Sequence, residues 1–275
     1  RGWIAGGLSV FLIAVVSLAD PCAGRSPLRV GTFNIENCPK SNRQLAASLN
    51  LINSLDVDAM ALQEIRKPAD FEDGVASYLG KHWKVVFADQ HDVRHRVALL
   101  VDRRDHRIVD VQTHRETVLY DGARATLEVR LRRVGGDANV VRVFVAHLRA
   151  GSGGGDIRAK QLRELRPIFE KAILSGDMIV FAGDLNTTEP SDRRRVAELA
   201  KSVGLVWSSR ALDCTSYWER EDACPGTSLD HILSTRIARD ISARGACRTV
   251  GCSPGESCPV YVEWISDHCP VVVDY

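Results

Sequence analysis

The sequence predicts an α/β fold that is rich in β-sheet of mixed strand direction. Short apolar runs alternate with segments of helical period along most of the 275 residues, which is the pattern of strands and amphipathic helices in turn. Some neighbouring strand segments are separated only by a turn sequence such as Gly135-Gly136-Asp137, which indicates antiparallel pairs beside parallel ones. The length favours one large domain, because a chain of this size can still enclose a single core.

Strands and helices are assigned in chain order. The first strand is expected at residues 28–35, where the sequence is LRVGTFNI. Ser41 is expected to cap a helix, because apolar residues recur after it on one helical face: Leu45, Leu49, Ile52 and Leu55. Further strands are predicted at residues 58–62, 97–101, 108–111, 125–131, 140–147, 178–182, 229–233 and 270–274, and further helices at residues 157–173 and 191–202.

The N-terminal segment has the pattern of a secretory signal peptide. Residues 3–19 carry no charge, Arg1 precedes them, and Asp20 and Pro21 follow them. Ser17-Leu18-Ala19 offers a small-x-small cleavage pattern, and the apolar run is shorter than the roughly 20 residues that span a membrane. We therefore expect a signal peptide at residues 1–25 and a secreted or extracytoplasmic protein. An uncleaved leader that anchors the domain to a membrane is the alternative.

The eight cysteines agree with export, because disulfides persist in oxidising compartments. Pairing Cys214 with Cys224 is the simplest local assignment, although eight cysteines allow 105 pairings. A zinc site is disfavoured, because the spacings from Cys247 to Cys252 and on to Cys258 contain no Cys-x-x-Cys pair.

The charged residues nearly balance, with 36 Lys and Arg against 35 Asp and Glu. This balance and the 45% of hydrophobic residues exclude a polycationic nucleic-acid coat and an acidic disordered chain. Residues 94–166 contain 16 basic against 9 acidic residues, whereas residues 210–275 contain 6 against 10. The basic part could form a rim that attracts a polyanion; ordinary solvated strand faces would give the same composition.

Hydrogen-bonding and ionisable residues stand where the predicted strands end. They are Asn34, Glu64, His147, Asp184 with Asn186, Asp230 with His231, and Asp267 with His268. Any one of them has an ordinary explanation, such as a capping Asn or a histidine satisfied in the core. Together they indicate a functional site, because α/β folds place their sites at strand ends. Carboxylates with Asn and His suit a hard cation such as Mg²⁺.

Six short motifs follow one another along the chain. They are Thr32-Phe33-Asn34-Ile35-Glu36, Leu62-Gln63-Glu64-Ile65, Ala146-His147-Leu148, Ala182-Gly183-Asp184-Leu185-Asn186, Ser228-Leu229-Asp230-His231-Ile232-Leu233 and Ile265-Ser266-Asp267-His268-Cys269-Pro270-Val271. This ordered set resembles the endonuclease/exonuclease/phosphatase superfamily of deoxyribonuclease I-like, metal-dependent phosphoesterases. The resemblance implies a catalytic domain over residues 26–275. It also implies a four-layered α/β sandwich, in which two mixed β-sheets pack face to face with helices on the outside.

The resemblance assigns a metal site and a catalytic pair. Glu64 matches the principal Mg²⁺ ligand, with Asn34 beside it and Asp267 as a further ligand; Mn²⁺ or Ca²⁺ are alternative ions. His268 matches a histidine that pairs with a buried aspartate, here Asp230. The pair would act as general base for water or stabilise phosphate charge, because the carboxylate fixes the imidazole tautomer and supports its cation.

The remaining residues of the set are expected to contact the phosphate. Asp184 and Asn186 match the residues that orient the attacking water and a phosphate oxygen, and His147 matches a candidate acid for the leaving oxygen. Arg124 resembles an arginine aimed at substrate phosphate, although a solvated arginine at a strand start is an equal alternative. Residues 92–96 depart from the pancreatic-type nucleases, since they lack the Glu that would support the first histidine.

The leading functional hypothesis is a secreted endonuclease that hydrolyses nucleic-acid phosphodiester bonds. Trp218 lies in a loop ahead of Asp230, where it could stack on a nucleotide or contact a lipid surface. A phosphodiesterase for phospholipid or sphingomyelin-type head groups is therefore the second hypothesis. A noncatalytic binding module on the same fold is the third. No protein partner is implied, and a monomer is expected.

Overall fold

The structure, a computed structural model, describes Gly2 and residues 28–135 and 139–275. The strands are β1 (Arg29–Cys38), β2 (Ala59–Ile65), β3 (Trp83–Phe87), β4 (Arg96–Asp102), β5 (His106–His114), β6 (Thr126–Arg133), β7 (Val140–His147), β8 (Met178–Asp184), β9 (Val206–Trp207), β10 (Ser216–Tyr217), β11 (Gly226–Thr227), β12 (Asp230–Ser234), β13 (Asp240–Ala243) and β14 (Val271–Asp274). The helices are α1 (Asn42–Ser54), α2 (Pro68–Tyr78), α3 (Gly155–Ile173), α4 (Pro190–Val203), α5 (Ala246–Thr249) and α6 (Val260–Trp264).

The strands form two mixed six-stranded sheets. The first sheet has the order β13-β14-β1-β2-β4-β3, and the second has the order β5-β6-β7-β8-β12-β9. Each sheet contains one parallel pair near its centre, β1 with β2 and β7 with β8, and antiparallel pairs around it. The small hairpin of β10 and β11 stands apart from both sheets.

Four layers result from the way the apolar faces are covered. Between the sheets, Val30 and Leu99 of the first sheet belong to one buried cluster with Val143 and Val180 of the second. Outside the first sheet, α1 and α2 bury their apolar faces in a second cluster. Outside the second sheet, α3 and α4 do the same in a third. The expected four-layered α/β sandwich is therefore confirmed.

The helix α1 begins where the sequence predicted it. The Oγ of Ser41 accepts the backbone N–H of Gln44 at 3.1 Å, which satisfies one of the N–H groups that a helix start leaves unpaired. Leu45, Leu49 and Ile52 are buried on the inward face. The predicted apolar stripe is therefore the face that covers the first sheet.

Each predicted strand and helix is present with shifts at its ends, but the sequence reading left out α2, β3, β13 and the shortest elements, which are β9, β10, β11, α5 and α6. The apolar pattern of α2 is interrupted by Gly74, which lies against α1. A Cβ at Gly74 would come within 2.7 Å of Cδ2 of Leu45. Glycine therefore permits the close approach of the two helices, and the same residue weakens the helical signal in the sequence.

The predicted disulfide between Cys214 and Cys224 is wrong. Cys214 pairs with Cys252, Cys224 with Cys258, and Cys247 with Cys269. The hairpin of β10 and β11 places the loop before β12 against the loop after β13, so each cysteine meets a partner distant in sequence. Among the described residues, Cys38 is a buried free thiol. Three disulfides are typical of an extracellular protein.

The predicted signal peptide, residues 1–25, lies almost entirely outside the described residues, as does most of the turn predicted at residues 135–137. None of the helices in the described part of the chain combines the length and apolar character that a membrane crossing requires.

Candidate active site

Strand ends from both sheets bring the predicted site residues together at one end of the sandwich. In the first sheet, Asn34 near the end of β1 is paired with Gln63 of β2, the neighbour of Glu64. In the second sheet, Asp184 at the end of β8 is paired with His147 of β7 and with Asp230 of β12. The six motifs of the sequence thus converge because β1, β2, β7 and β8 end at the same place where the antiparallel strands β12 and β14 begin.

Asn34 joins the two sheets through its side-chain amide. Its Nδ2 donates to Oδ2 of Asp184 at 3.0 Å and to Oε1 of Glu64 at 3.3 Å. Its Oδ1 accepts the backbone N–H of Glu36 at 3.0 Å. The buried amide therefore holds one carboxylate from each sheet at a single point.

Glu64 is held by an irregular segment of β1. Glu64 has a left-handed backbone with φ +65°, and so does Asn37 with φ +55°. The backbone N–H of Asn37 donates to Oε2 of Glu64 at 3.1 Å. Strand irregularities of this kind redirect side chains beside active sites, and backbone strain in non-glycine residues is concentrated there.

Asp230 and His268 form a buried pair. Oδ2 of Asp230 accepts from Nδ1 of His268 at 2.7 Å and from the hydroxyl of Thr215 at 2.8 Å. Burial lowers the pKa of His268, but the carboxylates of Asp230, Asp267 and Asp184 outweigh it, and the pKa stands well above its usual value. The expected pairing of Asp230 with His268 is present in the geometry.

Asp184 lies at the centre of the site. Its Oδ2 is 3.3 Å from Nε2 of His147 and 3.9 Å from Nε2 of His268. Its Oδ1 accepts the backbone N–H of Asn186 at 3.0 Å, in a turn where Asn186 has φ +51°. Burial, with a contribution from Asp230, raises the pKa of Asp184 to about 7. The side chain of Asn186 donates to the carbonyl of Leu148 at 3.3 Å.

His147 is buried, and its Nε2 faces the carboxylates of Asp184 and Glu64. Burial and the nearby charges of Arg124, His268 and His95 lower its pKa well below the usual value. Its Nδ1 is buried and has no hydrogen-bond partner among the described residues. This agrees with the missing supporting Glu noted in residues 92–96.

Some carboxylate oxygens of the site have no hydrogen bond to stabilise them. Asp267 Oδ1 and Asp230 Oδ1 are buried without a hydrogen-bond partner in the described part of the chain. Burial raises the pKa of Asp267 to about 6. Asp184, Asp230 and His268 offer ligand atoms that lie within 4.8 Å of one another. Orphaned carboxylate oxygens in a buried site fit a divalent cation, which prefers oxygen ligands.

Three arginines and Glu64 lie close enough to His95 to act on its charge. Burial lowers the pKa of His95, and Arg124, Arg94 and Arg66 lie close enough to lower it further, while Glu64 raises it. No ion-pair partner is found for these three arginines in residues 28–135 and 139–275. The guanidinium groups of unpaired arginines beside a carboxylate site are available for an anionic ligand.

Two predicted features have different surroundings from those expected of a site. His231 is fully buried, with Nε2 at 2.7 Å from the hydroxyl of Thr187 and Nδ1 near Ser209 and Trp207, so it is a core histidine. Trp218 is 61% exposed and follows Tyr217, whose backbone N–H donates to the carbonyl of Asp267 at 2.7 Å.

The sequence reading missed three residues that support the site. Nε2 of His95 contacts Oδ1 of Asn37 at 2.8 Å. Thr215 binds Asp230, and Gln44 donates to the carbonyls of Ile35, Glu36 and Ile265 at 2.9–3.0 Å. A polar residue on the apolar face of α1 was the available signal for Gln44. Nothing in the sequence marks His95, because it belongs to none of the six motifs.

The chain belongs to the Endonuclease/Exonuclease/phosphatase family, whose family model matches residues 31–268. The predicted family is thereby confirmed. Members of this family are metal-dependent phosphoesterases. A search of curated protein sequences gave no match.

Solved structures show the same fold at low sequence identity. TDP2 from D. rerio, complexed with a single-strand DNA product, aligns with a TM-score of 0.66 and 15% identity over 90% of this chain and 97% of that chain. The human Nocturnin catalytic domain with bound sulfate aligns at 0.64 and 19%, over 90% and 94%. An endonuclease/exonuclease/phosphatase from Bacteroides vulgatus aligns at 0.67 and 16%, over 90% and 97%.

Proposed function

We propose that this protein is a secreted, divalent-metal-dependent endonuclease that hydrolyses phosphodiester bonds of nucleic acid. The observation that carries the choice of substrate is the group of unpaired arginines beside Glu64. Arg66, Arg94 and Arg124 lie around His95 without carboxylate partners among the described residues. Such a group attracts a chain of phosphates more strongly than a single zwitterionic head group.

The metal site in this proposal is built from Glu64, Asn34 and Asp267. The orphaned Oδ1 of Asp267 and the partly open carboxylate of Glu64 support it. Bound Mg²⁺, or Mn²⁺ or Ca²⁺ in its place, would supply a Lewis acid that offsets charge developing on the phosphate. Asn34 keeps the carboxylates of Glu64 and Asp184 together through its amide.

Side chains of the candidate active site carry out the remaining steps of hydrolysis. Asp230 holds the proton on Nδ1 of His268, so Nε2 is the atom that faces the substrate. A neutral His268 takes a proton from the attacking water through Nε2, and a protonated His268 stabilises a phosphate oxygen. Asp184 and Asn186 orient the water and the phosphate. His147, whose lowered pKa leaves the ring neutral, donates a hydrogen bond to the leaving oxygen, and Arg124 binds a phosphate oxygen.

Two further observations support the proposal, one for the nucleic-acid substrate and one for secretion. TDP2 from D. rerio, which shares the fold, has been solved with a single-strand DNA product. Three disulfides are typical of proteins that act outside the reducing cytosol.

Cleavage of supercoiled plasmid in Mg²⁺ tests the proposal. We expect nicking by the wild type that EDTA abolishes. Glu64→Gln and His268→Ala should each lower the rate by about 10²- to 10⁴-fold. Glu164→Gln on the exposed face of α3 is the matched control and should cut at the wild-type rate. Plasmid that stays intact with Mg²⁺, Mn²⁺ and Ca²⁺ would contradict the proposal.

A lipid phosphodiesterase is the second candidate, because Trp218 is 61% exposed next to the strand that contacts Asp267 and His268. Release of phosphocholine from sphingomyelin micelles, with DNA left intact, would select this function. Binding of plasmid or micelles without cleavage of either would point to a noncatalytic module.

A further inference from the structure

A second basic region lies away from the candidate active site. It is a cavity of about 580 Å³ between the β3–β4 end of the first sheet and the start of β5. Its lining residues are His82, Lys84, Arg103, Arg104, His106, Arg107 and Ile108. No carboxylate lines this basic cavity. Cavities of this size are typical of small-molecule sites.

The basic cavity and the candidate active site stand at opposite ends of the sandwich. β2 and β4 are antiparallel, so Ile65, next to Glu64, is paired with Arg96 at the start of β4, while Ala59 is paired with Val101 near its end. The arginines of the cavity follow that far end. At about 3.3 Å per residue, β4 separates the two regions by about 20 Å.

The carboxylates near the cavity contact one arginine and the two histidines of the lining. Asp102 lies 3.9 Å from Nε2 of His82, and Asp58 lies 3.9 Å from Nδ1 of His106. Arg104 binds the buried Asp102 through Nε and Nη2 at 3.1 and 2.6 Å. Arg103 donates to the carbonyl of Lys81 at 3.1 Å, and Lys84 lies 3.7 Å from the exposed Glu72. Arg103 and Arg107 form no ion pair with the residues that the structure describes.

Strand pairing adds to the excess of positive charge. Arg107 of β5 is paired with Arg132 of β6. Like charges directly opposite one another on adjacent strands are destabilising. A bound anion would relieve this repulsion, whereas the described residues supply no acidic side chain to the cavity lining.

We propose that the basic cavity binds a compact anion with adjacent phosphate groups, either a free polyphosphate or the triphosphate of a nucleotide. Guanidinium groups bind phosphate oxygens in pairs, and Arg103 and Arg107 are the two arginines that are not already used by a carboxylate. Lys84 contributes a third cation. The site is independent of the proposed catalytic residues.

Isothermal titration calorimetry of the full protein with tripolyphosphate tests the proposal. Measurements in 150 mM NaCl with EDTA exclude binding through a metal ion. We expect binding that Arg107→Gln weakens at least threefold and Arg103→Gln/Arg107→Gln at least tenfold. Arg163→Gln/Arg194→Gln removes the same charge from exposed helix positions and should change the Kd less than twofold. Circular dichroism verifies that each variant is folded.

The result can also overturn the proposal. Absence of binding to the wild type, equal affinity in Arg103→Gln/Arg107→Gln, or equal weakening in both double variants would do so. Sulfate that binds as tightly as tripolyphosphate would contradict the requirement for adjacent phosphates. Titration with ATP separates the two sources, since tighter binding of ATP indicates a nucleotide and tighter binding of tripolyphosphate a free polyphosphate.

Discussion

Asp230 is the residue that most directly sets the state of the site histidine. Its Oδ2 receives both Nδ1 of His268 and the hydroxyl of Thr215, and its backbone N–H donates to the same Thr215 oxygen at 2.9 Å. The carboxylate is fully buried. Its charge is therefore compensated almost entirely by His268, and the two side chains act as a unit.

Asp230→Asn should inactivate the protein without unfolding it. The amide would keep the shape of the carboxylate but would not support a positively charged His268, so the histidine pKa should fall. We expect the rate of plasmid nicking to drop by about 10²- to 10⁴-fold. Single-turnover cleavage and the NMR titration of His268 are the measurements. A variant that nicks at the wild-type rate would contradict the role of the pair.

His114 should make the stability of the fold depend on pH. It is buried between Glu128 and Glu116, at 2.9 and 3.1 Å; burial lowers its pKa, but the two glutamates outweigh this and raise it above the usual value. The stabilisation is therefore complete below about pH 6.5 and is lost as the pH rises through the raised pKa.

Denaturant unfolding at pH 6, 7.5 and 9 checks this expectation. The wild type should lose free energy of unfolding toward pH 9, and His114→Gln should lose less. Arg142 contacts Oε1 of Glu128 at 3.0 Å, so Glu128 stays paired in the variant. Parallel pH profiles for the two proteins would show that His114 is not the titrating group.

At this scale, the sequence was informative where a residue belongs to a motif. Asn34, Glu64, His147, Asp184, Asp230 and His268 were all singled out, because each belongs to one of the six short motifs. His95 and Thr215 were not, because their contacts depend on loops that precede strands. Only the packing of those loops brings His95 to Asn37 and Thr215 to Asp230.

Among the strands, the contact between β7 and β8 requires a glycine at position 183. Gly183 has φ +156° and is paired with Ala146, and a Cβ at this position would overlap the carbonyl oxygen of Ala146. Asp184 directly follows Gly183 and ends β8 in the candidate active site. The close approach of the two strands therefore lies next to the site.

Gly183→Ala should destabilise the protein by about 3 kcal/mol or more, because overlap with the backbone and an unfavourable φ act together. Thermal unfolding measures the loss. Gly153→Ala is the control, since a Cβ at Gly153 would meet nothing within 4 Å, and its Tm should stay close to that of the wild type. Equal Tm values for both variants would contradict the expected overlap.

Two of the disulfides can be compared as structural elements. Cys269 follows His268 and bonds to Cys247 across 22 residues, whereas Cys224 and Cys258 are separated by 34 residues. Loop-closure entropy gives about 3 kcal/mol for either link. We expect Cys247→Ser/Cys269→Ser to lose both stability and nicking activity, and Cys224→Ser/Cys258→Ser to lose stability with most activity retained. Equal activity losses would contradict a specific effect on His268.

The elements that the sequence failed to predict share a physical cause. The apolar pattern of α2 is broken by Gly74, and β10 and β11 have only two residues each, too few to show a period. The disulfide pairing was wrong for a related reason. Proximity along the chain favoured Cys224 for Cys214, but the fold places Cys214, just before the β10–β11 hairpin, beside Cys252.

Over the whole molecule, the basic middle of the sequence does not form one continuous rim. Arg94 and Arg124 lie near the candidate active site, Arg103 and Arg107 line the basic cavity at the other end, and Arg158 is buried with Asp192 at 2.6 Å. Net charge along a segment could suggest attraction to anions. The net charge could not show where on the surface anions are attracted, because successive antiparallel strands place their residues at opposite ends of the sandwich.

Salt should therefore weaken substrate binding through the arginines at the site end alone. We expect the KM for single-stranded DNA to rise steeply with NaCl concentration. Arg66→Gln/Arg94→Gln should reduce the slope of log KM against log salt by about 2, or about 1 for each phosphate contact. Arg103→Gln/Arg107→Gln is the control with equal loss of charge. A slope that falls equally in both variants would contradict a localised substrate path.

The disulfides also bear on the state of this protein in the cell that makes it, before oxidation. Cys214 precedes Thr215 and Cys269 follows His268, so two covalent links flank the pair of Asp230 and His268. In a reducing cytoplasm those links cannot persist, and the flanks of the pair are held by weaker contacts. We expect the newly made chain to be dormant and to mature on oxidation. Under the proposed function, this latency would spare the genome and transcripts of the producing cell.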